Sequence, residues 1–546
     1  MIKHPTLPQE PAAAPHGAKR LSRAFAAATI GLAAAAAAVG PGELVAAFTG
    51  PGGAPVIAVG SAAIDLTPTP LKEYAVRTFG ANDKPVLLAG IYLVTALLAA
   101  LTGLLAVRRP VIGAAVFATF GALGVWAALS RPTASADDAL PAVAAALVGA
   151  VVVVWLARLL RRRPAPASTL PAVAPASPPP ASPPPASTPP ASRRSVLLAT
   201  GGTVAAAALA GVGGRMLSDR RNDVGAARDA VRVPSAVKRA RPLPPGAAPA
   251  VPGLSRFYTS NADFYRVDTA LTLPRIDPRT WSLRVHGMVD RPLEISFDEL
   301  LRRPLEELDY TLSCVSNEVG GPYLGTARWL GASLPALLRE AGVRAGADQV
   351  VGRSKDGMSI GTPLEGVLDG RQALLAVAMN GETLPVARGF PCRVLVPGYY
   401  GYASATKWLV DLEVTTFGAY DPYWVRRGWD RTGAVRTASR IEVPAGFARV
   451  PAGDVTVAGT AWATHRGIAA VEVRVDGGPW AEATLAADAG PDVWRQWSYD
   501  WTGARPGTHR LEARATDATG SVQPESRTPP FPSGATGWHS TVVTVT

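Results

Sequence analysis

Two cysteines in 546 residues, Cys314 and Cys392, are too few for a disulfide framework. They allow one bridge at most, and only in an oxidising compartment. They also exclude an iron–sulfur cluster held by this chain's own thiolates. Histidine is scarce too. The six are His4, His16, His286, His465, His509 and His539, and none lies in a long apolar run. The apolar part therefore lacks the usual axial ligands of a membrane b-type haem. The C-terminal half has no long Lys/Arg run. The net charge of +12 thus gives no reason to expect nucleic acid, because many basic residues flank apolar spans, where the positive-inside rule accounts for them.

What the chain has in abundance is apolar sequence at its start. Mean hydropathy is +0.15, and the first 215 residues supply the excess. Uncharged stretches at 24–42, 85–107, 111–130, 139–157 and 196–214 each approach the roughly 20 residues that cross a bilayer. Lys19, Arg20 and Arg23 precede the first, and Arg108 and Arg109 sit between the second and third. Arg158, Arg161, Arg162 and Arg163 follow the fourth, and Arg193 and Arg194 precede the fifth. All four clusters are cytoplasmic if the N-terminus is inside, which places residue 215 onward outside. Residues 44–64 are also uncharged, but Gly50-Pro51-Gly52-Gly53 interrupts them, and they read as re-entrant or extracytoplasmic. Residues 164–192 are almost all Pro, Ala and Ser, an extended spacer without a core. Ser192-Arg-Arg-Ser-Val-Leu-Leu198 resembles a twin-arginine export signal.

Residues 215–253 read as a tether, and the globular pattern starts near Leu254. Trp281, Leu283 and Val285 alternate with polar residues, as in a half-buried strand. A capping serine begins each predicted helix, over 296–301 and 333–341, and Gly342 ends the second. Val394–Val396 reads as a buried strand closed by Pro397-Gly398. Short alternating strands at 455–459, 471–475 and 509–515, separated by Gly-rich turns, suggest an all-β sandwich over 441–546.

Three blocks carry the chemistry. They are Thr-Leu-Ser-Cys-Val-Ser-Asn-Glu-Val-Gly-Gly (311–321), Ala-Arg-Trp-Leu-Gly-Ala-Ser-Leu-Pro-Ala-Leu-Leu (327–338) and Gly-Phe-Pro-Cys-Arg-Val-Leu-Val-Pro-Gly-Tyr-Tyr-Gly-Tyr-Ala-Ser-Ala-Thr-Lys-Trp-Leu (389–409). In this order they resemble the sulfite-oxidase superfamily of molybdopterin enzymes. The resemblance covers about 254–546, and the arrangement as a whole looks like a group of membrane-anchored actinobacterial relatives. It implies a molybdenum-molybdopterin cofactor with Cys314 as the catalytic metal ligand, since a soft thiolate suits a high-valent metal. It implies that Asn261, Phe264 and Tyr265 contact the pterin, and that Arg393 and Lys407 hold its phosphate with hydroxyl help from Ser404 and Thr406. Arg388 stands where relatives carry His or Asn, and an arginine there suits a phosphate. Cys392 lies on an apolar strand and reads as a small buried hydrophobe. No arginine occurs between Cys314 and Arg328, and Glu318 would repel an anion, so sulfite is not the expected substrate.

The resulting expectation is a multidomain chain. An α-helical membrane anchor (1–163), a linker (164–192) and a fifth span (193–214) lead through the tether (215–253) to an α+β sulfite-oxidase-type molybdopterin domain (254–440). An immunoglobulin-like sandwich (441–546) follows. The expected activity is two-electron redox or oxygen-atom transfer on a small-molecule substrate outside the cell membrane. An export pathway for folded proteins suits a domain that receives its cofactor beforehand. The expected partners are the membrane, an external electron donor or acceptor protein, and a second copy of the chain through the last domain. The rivals are a non-catalytic surface-binding protein and a reductase of oxidised sulfur such as methionine sulfoxide. Metal analysis separates the first, and electron delivery from the membrane side marks the second.

Overall fold

The computed structural model describes residues 16–161 and 193–546. The predicted linker at 164–192 and the pair Arg162–Arg163 lie outside the described residues. The chain divides into two compact units, 1–222 and 223–546.

The first unit holds α1 (His16–Thr49), α2 (Pro55–Leu66), α3 (Thr69–Phe79), α4 (Asp83–Arg108), α5 (Pro110–Leu129), α6 (Leu140–Arg161) and α7 (Arg193–Arg221). Five of these, α1, α4, α5, α6 and α7, are long and apolar enough to cross a membrane. Small residues let their backbones touch. A Cβ on Gly31 would strike the Ala99 carbonyl, and one on Gly103 would strike that of Ala27, so α1 and α4 run antiparallel. Gly40 meets Ala207 and Gly214 meets Leu44, so α1 and α7 run parallel. Gly113 faces Val153 and Gly124 faces Ala142, so α5 and α6 are antiparallel. Directions thus alternate along α1, α4, α5, α6 and α7. The ambiguous stretch 44–64 resolves into the end of α1, a break at Gly50 (φ 125°) and α2. At 12 residues, α2 is about 18 Å long, short of the roughly 30 Å hydrocarbon layer.

In the second unit the start is not a free tether. On α8 (Gly225–Ala230), Arg228 donates to the carbonyls of Thr383 and Leu384. Val237 N–H donates to Leu305 O at 2.8 Å, and Glu307 N–H donates to Lys238 O at 2.8 Å. The Pro-rich backbone is thereby satisfied along a strand edge.

The strands that follow are β1 (Ser282–Gly287), β2 (Leu293–Ser296), β3 (Leu305–Ser313), β4 (Leu324–Ser333), β5 (Gln349–Ser354), β6 (Ser359–Pro363), β7 (Leu374–Met379), β8 (Glu382–Thr383), β9 (Arg393–Leu395) and β10 (Leu409–Thr415). They form two sheets, the mixed β2-β1-β10-β5-β6 and the antiparallel β3-β4-β7-β8 with β9 beside β7. Between them run α9 (Phe297–Arg302) and α10 (Leu334–Ala341). Ser296 and Glu299 cap α9 reciprocally, and Ser333 caps α10, which Gly342 ends in the left-handed region. Leu283, Leu337, Leu375 and Leu412 are fully buried in the core shared by these elements.

The last region carries β11 (Ala438–Val443), β12 (Arg449–Val450), β13 (Gly453–Trp462), β14 (Ile468–Val475), β15 (Ala481–Glu482), β16 (Thr484–Leu485), β17 (Arg495–Ala504), β18 (Gly507–Asp517) and β19 (His539–Val545). Two sheets, β11-β13-β17-β16 and β12-β19-β18-β14-β15, share one core around Val457, Trp497, Val473 and Leu511.

His539 opens β19. Its Nδ1 accepts the Ile441 N–H at 3.0 Å. Burial, Arg527 and Arg440 hold its pKa down at about 4. Unfolded histidine titrates near 6.5. Between those values the unfolded chain binds a proton that the folded chain refuses, so stability is full above about pH 6.5 and falls as pH drops toward 4. Thermal melts of the full chain across this window are expected to show His539→Asn, which keeps an acceptor, losing less stability with acid than wild type. Identical slopes would contradict the linkage.

Candidate active site

The antiparallel pair β3–β4 ends at Ser313 opposite Leu324, and Cys314 begins the loop between them. That loop closes on itself. Cys314 N–H donates to Tyr323 O at 2.9 Å, Asn317 N–H donates to Cys314 O at 3.1 Å, and Tyr323 N–H donates to Asn317 Oδ1 at 2.8 Å. A rare thiol is thus fixed at the base of a hydrogen-bonded hairpin loop. It is 9% exposed. Burial raises its pKa, while hydrogen bonds to Ser316 and the Lys407 charge pull the other way. A high-valent metal favours the thiolate outright.

Phe264 and Tyr265 stack beside it with ring centroids 5.3 Å apart, and Phe264 meets Trp329 edge-on at 5.8 Å. Burial first, and then the Cys314 charge, push the Tyr265 hydroxyl well above its usual range, so ring and thiol share one field. Their segment is pinned from several sides. Thr259 N–H donates to Thr326 O, and Arg388 donates to the carbonyls of Asn261 at 3.1 Å and Tyr265 at 2.6 Å. The Asn261 amide is hydrogen-bonded within the protein. Its Oδ1 accepts from Asn380 at 3.0 Å and its Nδ2 donates to Met379 O at 3.2 Å. It braces the segment that carries the rings.

Behind the rings, cations converge. Arg393 on β9 is 4% exposed, and its Nε has no hydrogen-bond partner. Its one side-chain hydrogen bond goes to the Arg388 carbonyl at 3.1 Å, and its guanidinium lies over Trp329 at 5.1 Å. Among the described residues it has no carboxylate partner. Burial pulls its pKa down to about 10. Burial also lowers Arg388, with Arg266 adding repulsion. Lys407 pairs with Asp268, yet burial still lowers it to about 8. Gly389 (φ 112°) lies between them, and a Cβ there would come 3.0 Å from Lys407 and 3.2 Å from Arg393. Three cations gathered around Gly389, each destabilised by burial, form a cluster suited to an anion.

The two hydroxyls behave differently. Ser404 Oγ, fully buried, is committed to the carbonyls of Tyr399 at 3.1 Å and Tyr400 at 3.0 Å. These bonds hold the turn at Tyr399–Ser404. Thr406 is 2% exposed and packs against Gly352. Cys392 is fully buried within the apolar core.

Sequence reasoning missed three residues. Asp268 joins Lys407 to Arg266. Asp356, pushed up by burial, lies in the same field as Lys407 and Asp268. Asn380 donates to Thr259 O at 2.9 Å as well as to Asn261. Asn380 and Asp356 left a signal, because Asn380-Gly381 and Asp356-Gly357 are strong hairpin-turn dipeptides.

Comparison with known proteins points the same way. Residues 270–424 match the oxidoreductase molybdopterin binding domain. Mitochondrial sulfite oxidase of Mus musculus is 32% identical over 323 residues, covering 50% of this chain and 58% of that enzyme. Sulfite oxidase of Gallus gallus is 33% identical over 326 residues, covering 50% of this chain and 70% of that one. The sulfane dehydrogenase SoxCD of Paracoccus pantotrophus aligns with a TM-score of 0.46 at 22% identity, covering 54% of this chain and 84% of that one. The cofactor is molybdenum-molybdopterin, and the residues present fit it: a soft thiolate for the metal, flat aromatic walls for the pterin and under-neutralised cations for its phosphate. In cofactor-free protein, Arg393→Met is expected to raise stability, on the order of 1 kcal/mol or more, by removing an unpaired buried charge. The same variant is expected to load less cofactor. Melts and pterin assays of the full chain check both, and a destabilised variant that loads normally would contradict this role. By its sequence and its donor set, the chain belongs to the sulfite-oxidase family of molybdopterin-binding oxidoreductases.

Proposed function

We propose that the chain is a membrane-anchored, extracytoplasmic oxidoreductase that carries out two-electron redox chemistry on a small, neutral substrate. The observation that carries the reading is the cluster of Arg388, Arg393 and Lys407, each with a lowered pKa. A surface-binding protein that had lost its cofactor would have no use for a cluster of three buried cations balanced in part by Asp268. When bound, the molybdenum centre supplies two-electron transfer coupled to oxygen-atom transfer. Cys314 contributes a soft donor. Arg393, Arg388 and Lys407 hold the phosphate, and Phe264 and Tyr265 line the pterin.

Substrate charge follows from the loop. Between Cys314 and Arg328 it carries Glu318 and no Lys or Arg. Arg328 is already paired with Asp309 at 2.8 Å. The Cys314 loop itself offers a small dianion no counter-charge, and a neutral substrate avoids that cost.

The sidedness rests on the alternating helix directions. They bring Arg23, Arg108–Arg109, Arg158–Arg161 and Arg193–Arg194 to one end of the bundle, which the positive-inside rule makes cytoplasmic. Residues 223–546 then lie outside. The two-sheet domain after Ala438 reads as immunoglobulin-like, with dimerisation as its role, and electrons pass to or from an external protein.

Cys314→Ser is expected to leave folded protein with turnover reduced at least a hundredfold, because a hydroxyl replaces the soft ligand. Cys392→Ser should keep turnover and lose some stability. Full turnover by Cys314→Ser, measured per chain, would remove the thiol from the mechanism. With molybdenum-loaded protein, steady-state kinetics should show kcat/KM for sulfite well below the common enzyme range of about 10⁴ M⁻¹s⁻¹ or more, and higher values for sulfoxides. Efficient sulfite oxidation would overturn the neutral-substrate reading.

A further inference from the structure

The loop that carries Cys314 is gripped from the C-terminal two-sheet domain. Arg440, on β11, sends Nη1 to the Gly321 carbonyl at 2.8 Å. Its other donors bind Glu442 Oε1, Nη2 at 2.6 Å and Nε at 3.1 Å. Glu442 uses its remaining capacity on the other side of the site. Its Oε2 accepts the Ser255 N–H at 2.8 Å, at the start of the segment that leads to Phe264 and Tyr265, and its Oε1 accepts the Thr460 hydroxyl at 2.9 Å. Both side chains are largely buried, at 12% and 9% exposure. A third contact is steric. Gly320 adopts φ 79°, and a Cβ there would overlap the ring of His539, which is itself held by the Ile441 N–H.

An ion pair between residues two apart on one strand is complete without reaching elsewhere. This pair instead spends one arginine donor on the Cys314 loop and one carboxylate oxygen on the pterin-wall segment. The loop transmits such a grip, because the chain that Gly321 belongs to returns to the thiol through Tyr323 O and Cys314 N–H. The same residues form a wall of a cleft of about 910 Å³ that Gly320 and Pro322 also line.

We propose that Arg440 is a positioning residue for the Cys314 loop, so that the C-terminal domain sets the orientation of the metal ligand. This rests on Cys314 being that ligand. The geometry makes the domain a working part of the site: one buried ion pair fixes the thiol loop and the aromatic wall relative to each other. Small displacements of reacting groups can cost about a hundredfold in rate.

The test uses the full, molybdenum-loaded chain with Arg440→Gln, Arg440→Lys, Glu442→Gln and Gly320→Ala. Molybdenum per chain, kcat, KM and the paramagnetic-resonance spectrum of the one-electron-reduced metal are measured. Arg440→Gln is expected to lower kcat per molybdenum about tenfold or more with KM within about threefold, and to shift the spectrum. Arg440→Lys should recover part of both. Gly320→Ala, which presses on the grip from the loop side, should shift the spectrum in the same way, and Glu442→Gln provides the reading if the arginine variants do not fold. A wild-type spectrum and kcat in the loaded fraction of these variants, even with lower stability, would make the contact structural only and overturn the proposal. Cys314→Ser in parallel separates the two readings. Its retention of wild-type turnover sinks the ligand assignment, whereas an inactive Cys314→Ser beside a normal Arg440→Gln sinks this proposal alone.

Discussion

An unneutralised guanidinium sits in the interior of the second unit. Burying a charge is costly unless a partner compensates it, and Arg393 has an aromatic face, one backbone carbonyl and an orphaned Nε. Much of the local structure serves that charge or its neighbours. β9 holds Arg393 against β7, Gly389 leaves room between it and Lys407, and Arg388 ties the ring-bearing segment down through two carbonyls. Asp268 offsets part of the positive charge and leaves the rest for a ligand. In the proposed reading the cluster is half of an electrostatic pair that the cofactor's phosphate would complete.

The two units divide the chain's charge as they divide its work. Of 54 Lys and Arg residues, 19 precede Asp223, and of 42 Asp and Glu residues, 8 do. The second unit therefore holds 35 basic and 34 acidic residues, close to neutral, and the excess belongs to the helical unit. That helical unit packs through small residues, as apolar helices do where no hydrophobic force drives them together.

Elements whose cause is local were legible in the sequence. Ser296 with Glu299, Ser333 and Gly342 delimit their helices as capping chemistry requires, and the alternation at Trp281–Val285 yields β1. Cys314 stood out as a candidate because a thiol is rare here and its flanks are Gly-rich and polar. What stayed hidden depends on partners distant in sequence. Nothing near Asn261 announces that Asn380 and Met379 will take its amide, and nothing near Ser404 shows that two adjacent carbonyls will claim its hydroxyl. The stretch from Asp223 read as a tether because Pro and Ala bury little. It packs because β3 offers an edge whose backbone groups need partners.

The central claim is that Cys314 and an anionic pterin cofactor complete this site together. X-ray absorption at the molybdenum edge on the loaded full chain tests it most directly. The account expects three sulfur scatterers at the metal, two from the pterin and one from Cys314, falling to two in Cys314→Ser while the metal stays bound. Three sulfurs in that variant, or two in the wild type, would contradict it.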